Sequence, residues 1–284
     1  MSDSSFLKPL KMVRGLAAVS LIAGVALAAQ PALACTMQNW TDQFGDVYAN
    51  NPLNNSGEDV DGNVSNVGGV QRYSGFCGMQ AGPGTGFVED DRPGNIDRIV
   101  ARFYVLRNSL GSGTPIIYAG YGSNDAEAFR VTMDAAGTVT LIDSATGQSV
   151  TQSGSTNWMS IEIDWGRAAG DGFIKLSVNG QADVENDTLN NAGSPQLSYV
   201  RLGNVDGAAS GTITFDSYES RRSTAVGRLM VADANNDGVV NVVDVTALSN
   251  ELLNDVLTPG QPDCNEDGEV NVVDITCLAN IILN

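Results

Sequence analysis

At 284 residues the chain is long enough for two small domains or one large one, and its 32 glycines and moderate hydrophobicity describe a folded, turn-rich protein. A formal net charge of −18 argues against nucleic acid or an anionic membrane as partner, and suits calcium binding or a salty exterior. There is no histidine, which excludes His-based triads, imidazole metal sites and histidine general bases together.

Lys8, Lys11 and Arg14 precede a run from Leu16 to Ala29 that only Ser20 and Gly24 interrupt, and Ala32 and Ala34 frame a cleavage site before Cys35. This pattern predicts a secretory signal peptide over residues 1–34. An uncleaved anchor and a lipid-carrying Cys35 are the alternatives. No later segment approaches the roughly twenty apolar residues of a membrane span, so no transmembrane segment is expected in the mature chain. The expected location is secreted or extracellular, with retention at the cell surface open. Loss of the leader removes Lys8, Lys11, Arg14 and Asp3, taking the charge from −18 to −20.

Export turns the four cysteines toward disulfides. Three connectivities are open, and clustering along the chain favours Cys35–Cys77 and Cys264–Cys277. Residues 35–95 are rich in Asn, Gly, Asp and Ser and read as an irregular, disulfide-pinned lead-in, packed on the neighbouring domain.

Residues 96–222 change character. Ile99, Ala101, Phe103 and Val105 alternate with Arg98, Arg102 and Tyr104, and the same period of two recurs in Ile116–Tyr121, Ala128–Met133, Val139–Ile142, Met159–Trp165, Phe173–Val178, Ser198–Leu202 and Thr212–Tyr218. Asn179-Gly180 after Val178 suits a hairpin turn needing positive φ. Short strands at this spacing, without a helical period, predict a mainly β chain built on a β-sandwich.

Residues 223–228 read as a linker to a second module, 229–284. There Val242, Val245, Leu248, Leu252 and Leu253 recur at helical intervals, as do Val272, Ile275, Leu278 and Ile282. Each predicted helix comes directly after an acidic loop of twelve residues. The first places side-chain oxygens at positions 1, 3, 5, 9 and 12 (Asp233, Asn235, Asp237, Asn241, Asp244) around Gly238. The second, thirty residues on, does so with Asp263, Asn265, Asp267, Asn271 and Asp274 around Gly268. Calcium takes six to eight hard oxygen ligands, and a loop of this length curls to supply them. Val239 and Glu269 would add main-chain carbonyls at position 7. Two ions are therefore expected. Asp at position 12 replaces the usual long Glu, and no incoming helix precedes either loop.

With those features, residues 229–284 closely resemble a dockerin domain, a duplicated calcium loop–helix module that docks onto a cohesin domain. The resemblance implies calcium-dependent folding, a cohesin-like domain or other envelope protein as partner, and partner-reading positions at Val242, Val243, Val272 and Val273. Core packing of one valine per pair is the alternative. The sandwich resembles concanavalin A-like and laminin G-like jelly rolls through Arg102-Phe103-Tyr104-Val105, Ile161-Glu162-Ile163-Asp164-Trp165 and Phe215-Asp216-Ser217-Tyr218-Glu219. One family of laminarinase-like hydrolases with that fold uses Glu-x-Asp-x-x-Glu, so Glu162 and Asp164 are weak catalytic candidates, with Arg167 standing where the third acid belongs. Trp158 and Trp165 are candidate sugar platforms, and Asp90, Asp91, Asp97, Asp125 and Asp134 candidates for a further calcium ion. The expected function is a non-catalytic surface or adaptor protein whose sandwich binds a glycan or protein. A dockerin-bearing polysaccharide hydrolase and a structural matrix component are the rivals.

Overall fold

The computed structural model describes residues 60–65, 71–75, 78–91 and 93–284. The expected leader and the Cys35–Cys77 pairing lie outside them. In chain order the strands are β1 (Val60–Ser65), β2 (Met79–Asp90), β3 (Arg98–Ser109), β4 (Ile116–Tyr121), β5 (Glu127–Met133), β6 (Thr138–Asp143), β7 (Ser149–Ser153), β8 (Met159–Gly166), β9 (Ala169–Val178), β10 (Val184–Asn190), β11 (Tyr199–Asn204) and β12 (Thr212–Arg221). Two helices come after them, α1 (Val242–Asn254) and α2 (Val272–Leu283).

The strands run in the order β10-β9-β8-β3-β12-β2-β11-β4-β5-β6-β7, with β1 added on β2. The sheet doubles over, so that Gln152 of β7 donates to the Ala182 carbonyl at 3.0 Å and accepts from Val178 N of β9 at 2.6 Å. One apolar core fills the fold, and the inward-pointing alternate residues supply it: Ala101 and Phe103 of β3 pair with Ile163 and Ile161 of β8, all buried. Each large apolar side chain so buried contributes about 1.5–3 kcal/mol. The turn at Asn179-Gly180 forms as expected: both residues take positive φ (55° and 67°), and Gln181 N bonds Val178 O at 3.1 Å.

The supposedly irregular lead-in needs correcting. It contains β1 and β2, and β2 lies between β12 and β11 in mid-sheet. Pro83 and Gly84 conceal this, because they fall in a bulged stretch between the paired residues Ala81 and Gly86. A second difference concerns the outer face of β3. Arg102 and Tyr104 are buried there: Tyr73, Trp158 and Leu229 pack against Tyr104, and Arg102 donates to Ser217 O at 2.7 Å and to Glu219 at 3.2 Å. Tyr73 stacks on Tyr104 with ring centroids 3.6 Å apart, and Tyr104 Oη accepts from Leu229 N at 2.7 Å. A bulge in β12 holds the covering segment: Ser217 adopts φ 49°, and Asp216 Oδ2 accepts from Tyr73 N at 2.5 Å and Ser74 N at 3.1 Å.

Candidate metal centre

Each helix begins at an asparagine. Asn241 takes extended backbone angles and its side chain accepts from Val243 N at 2.7 Å, while Asp244 reaches back to Asn241 N at 2.8 Å. Asn271, Val273 and Asp274 repeat this capping box at 2.8 Å for both bonds. Four otherwise orphaned N–H groups are thus satisfied, and each position-12 carboxylate is fixed at a helix N-terminus that favours negative charge. Leu248 and Leu278 are buried between the helices with Val245, Leu252 and Ile275 partly covered, while Val242, Leu253, Val272 and Ile282 lie outside that cluster on exposed positions.

The loops themselves match in their bonding. Asp233 Oδ1 accepts from Asp237 N at 3.0 Å and its Oδ2 from Gly238 N at 2.9 Å; Asp263 does the same with Asp267 N and Gly268 N at 3.1 and 2.7 Å. Asn235 N donates to Asp244 at 3.1 Å, and Asn265 N to Asp274 at 3.2 Å. Each loop is therefore wound so that its first residue meets the fifth and sixth and its third meets the twelfth. Gly238 and Gly268 supply the sharp bend with φ of 82° and 93°.

The donor set suits a hard divalent cation. Asp233, Asp244, Asp263 and Asp274 are buried, and none of them belongs to an ion pair among the described residues. Burial pushes the Asp263 carboxyl up to about 7, and the neighbouring charges of Asp274 and Asp267 add to the effect. Clustered carboxylates in such a setting need a counter-charge. Among the described residues, no group of three or more His, Cys, Asp or Glu side chains could by itself hold a metal. Amide oxygens of Asn235, Asn241, Asn265 and Asn271 and the carbonyls of Val239 and Glu269 would have to complete the shells, which is a calcium-like mixture. Cys264 and Cys277 form a disulfide with a Cα–Cα distance of 5.9 Å, tying the second loop to α2.

The valine pairs do not enter a core. Val242, Val243, Val272 and Val273 are 68, 52, 69 and 53% exposed, which removes core packing as their explanation.

In the sandwich the weak catalytic pair is otherwise engaged. Glu162 accepts from Val226 N at 3.2 Å and Gly227 N at 2.6 Å, and Asp164 receives Arg98 Nε and Nη2 at 3.0 and 2.7 Å. The cleft beside them measures about 70 Å³, far below the roughly 300 Å³ at which ligand pockets begin. Trp158 and Trp165 are both buried, so neither offers a stacking face. The five sandwich aspartates do not converge. Asp125 and Asp134 flank opposite ends of β5, Asp125 accepting from Tyr199 Oη and Asp134 from Ala136 N and Thr138 N. Asp97 pairs with Arg167. Asp90 is buried and Asp91 exposed.

Sequence reasoning missed the groups that the sandwich and the linker bring to the second loop: Gln71, Tyr73 and the Trp158 backbone from the one and Arg228 from the other. Nothing local signals them, since Gln71 and Gly268 are separated by 197 positions.

Among the described residues no helix is long and apolar enough to cross a membrane. No curated protein matches the chain. Similar solved structures include "Cellulose induced protein, Cip1", at 16% identity and TM-score 0.44, covering 61% of this chain and 92% of that one. The botulinum neurotoxin serotype G binding domain aligns at 12% identity and TM-score 0.42, covering 60% of this chain and 45% of that one. A Trypanosoma rangeli sialidase aligns at 16% and 0.37, covering 52% and 26%. Residues 231–283, which hold both loops and both helices, match the dockerin type I domain, a calcium-binding domain.

Proposed function

We propose that the protein is a secreted, calcium-binding, non-catalytic adaptor or surface protein. Residues 229–284 dock, with calcium in both loops, onto a cohesin-like domain or another envelope protein. The sandwich binds a glycan or protein. Its half-buried Tyr121–Tyr199 stack, with Arg201 against both rings, is the face we assign to that contact.

The observation that carries this reading is the pair of like-wound loops whose buried, clustered carboxylates have no ion-pair partner among the described residues. Asp233, Asn235, Asp237, Val239, Asn241 and Asp244 would hold one ion, and Asp263, Asn265, Asp267, Glu269, Asn271 and Asp274 the other. Calcium supplies charge compensation and fixes the two helices; the exposed valines at matching positions of the repeats then form the apolar part of a docking surface. The hydrolase reading loses support, because Glu162 and Asp164 serve the linker and Arg98.

Calorimetric titration of the full chain should show two calcium ions bound, and chelation should lower the helical circular dichroism signal of α1 and α2. Cohesin-bearing envelope extract should retain the protein only with calcium present. Full helical signal after thorough chelation would refute the reading.

A further inference from the structure

The two loops match at their side-chain ligand positions and in internal bonding but not in surroundings. The second is gripped by the sandwich: Trp158 N donates to Glu266 O at 2.9 Å, and Gln71 Nε2 to Gly268 O at 2.8 Å. The Glu266 carboxylate receives Tyr73 Oη at 2.7 Å and Arg228 Nη2 at 2.5 Å. These carbonyls belong to loop positions 4 and 6, so the sandwich does not occupy the position-7 carbonyl of Glu269, which accepts only from Asn271 Nδ2 at 3.5 Å among the described residues. At the equivalent places in the first loop, Asn236 and Gly238, no hydrogen bond from the sandwich reaches either carbonyl among the described residues. A methyl group built on Gly238 meets open space, whereas on Gly268 it meets Leu106 Cδ2 at 2.8 Å.

We propose that the sandwich is an intrachain clamp on the second loop. Gln71, Tyr73, Trp158 and Arg228 are positioning residues that keep this loop curled, so that it is the tighter and slower-releasing calcium site while the first is the exchangeable one. The inference rests on the calcium reading above. Its physical basis is preorganisation: closing a free loop around an ion costs backbone entropy, and contacts made without the ion offset part of that cost in advance. Glu266 must also hold φ 58°, a left-handed conformation unfavourable for a side-chain-bearing residue, and the clamp grips that residue at both backbone and side chain. Arg228 neutralises Glu266, so the clamp adds no net negative charge to the loop. By reciprocity, an ion in the second loop strengthens the sandwich contact.

The test is calcium titration of the full chain, with chelator-triggered release kinetics and hydrogen exchange resolved over residues 233–244 and 263–274. The native protein should show two affinities differing by about tenfold, the worth of ordering roughly one further residue. Gln71→Ala combined with Arg228→Ala should weaken the tighter site by about tenfold and speed exchange in 263–274 alone. Arg228→Lys, which keeps the charge toward Glu266, should retain most of the difference. Equal affinities in the native protein, or a double variant that weakens both loops alike or neither, would overturn the clamp while leaving calcium binding intact. Absence of any calcium uptake would overturn both.

Discussion

The first and second loops differ less in themselves than in what touches them. Each is wound by the same bonds from positions 1 and 12 and capped by the same asparagine. Yet the second carries a disulfide where the first has Ala234 and Ala247, and it is bonded by Gln71, Tyr73 and Arg228, whereas the first is bonded at Asp233 O and Ala234 O by Gln261 N and Gly260 N at 2.8 and 2.9 Å. Duplication copies a local cradle, and the rest of the chain then decides how firmly each copy is held. The first repeat is not detached, however, since its helix is anchored: Arg72 Nη2 meets Glu251 of α1 at 2.6 Å in a buried ion pair, and Thr258 donates twice to the same carboxylate. The contrast therefore concerns loops, not whole repeats.

The largest effect separates those two levels. Arg72→Ala leaves Glu251 buried without its cation, a loss of about 3–5 kcal/mol in such settings. Denaturant unfolding should register that loss, while calcium release from the second loop should change little, because Arg72 touches helix and not loop. A variant that instead speeded release from the second loop would mean that the helix anchor and the loop clamp are one unit.

The period-two reading found eight strands, β3, β4, β5, β6, β8, β9, β11 and β12, because each presents one face to the core. It missed β7 and β10, whose sequences Ser-Val-Thr-Gln-Ser and Val-Glu-Asn-Asp-Thr-Leu-Asn bury little; as the last strands on the sheet path they are held by backbone pairing rather than by an apolar face. It missed β2 because glycines and Pro83 break the pattern that pairing on both sides restores. The candidate ligands were legible since a calcium loop is a local object whose spacing is written in twelve consecutive residues. The burial of Tyr104 and Trp158 against Tyr73 was not, since those contacts join residues 31 and 85 positions apart that no local pattern records.

Removing the disulfide tests how much of the asymmetry is covalent. Cys264→Ala with Cys277→Ala gives the second repeat the alanines of the first, and a cross-link closing a loop of this length is worth about 3 kcal/mol. Denaturation in calcium should show that loss. If the affinity difference between the loops disappears with it, the disulfide and not the sandwich sets the contrast.

The smallest effect is also the most discriminating. Gly238 and Gly268 occupy position 6 of their loops at nearly the same positive φ, so alanine at either site incurs a similar left-handed penalty of about 1–2 kcal/mol. Only at Gly268 does the new methyl group also press on Leu106 and on Gln71 Nε2, 3.2 Å away. Leu106 can yield at its branch end, so the added cost is about 1 kcal/mol. Gly268→Ala should accordingly destabilise the calcium-loaded chain by about that much more than Gly238→Ala in urea unfolding. Because backbone strain cancels between the two variants, the residual difference reads the seating of the second loop against the sandwich alone, and equal losses would mean that the seat is loose in solution.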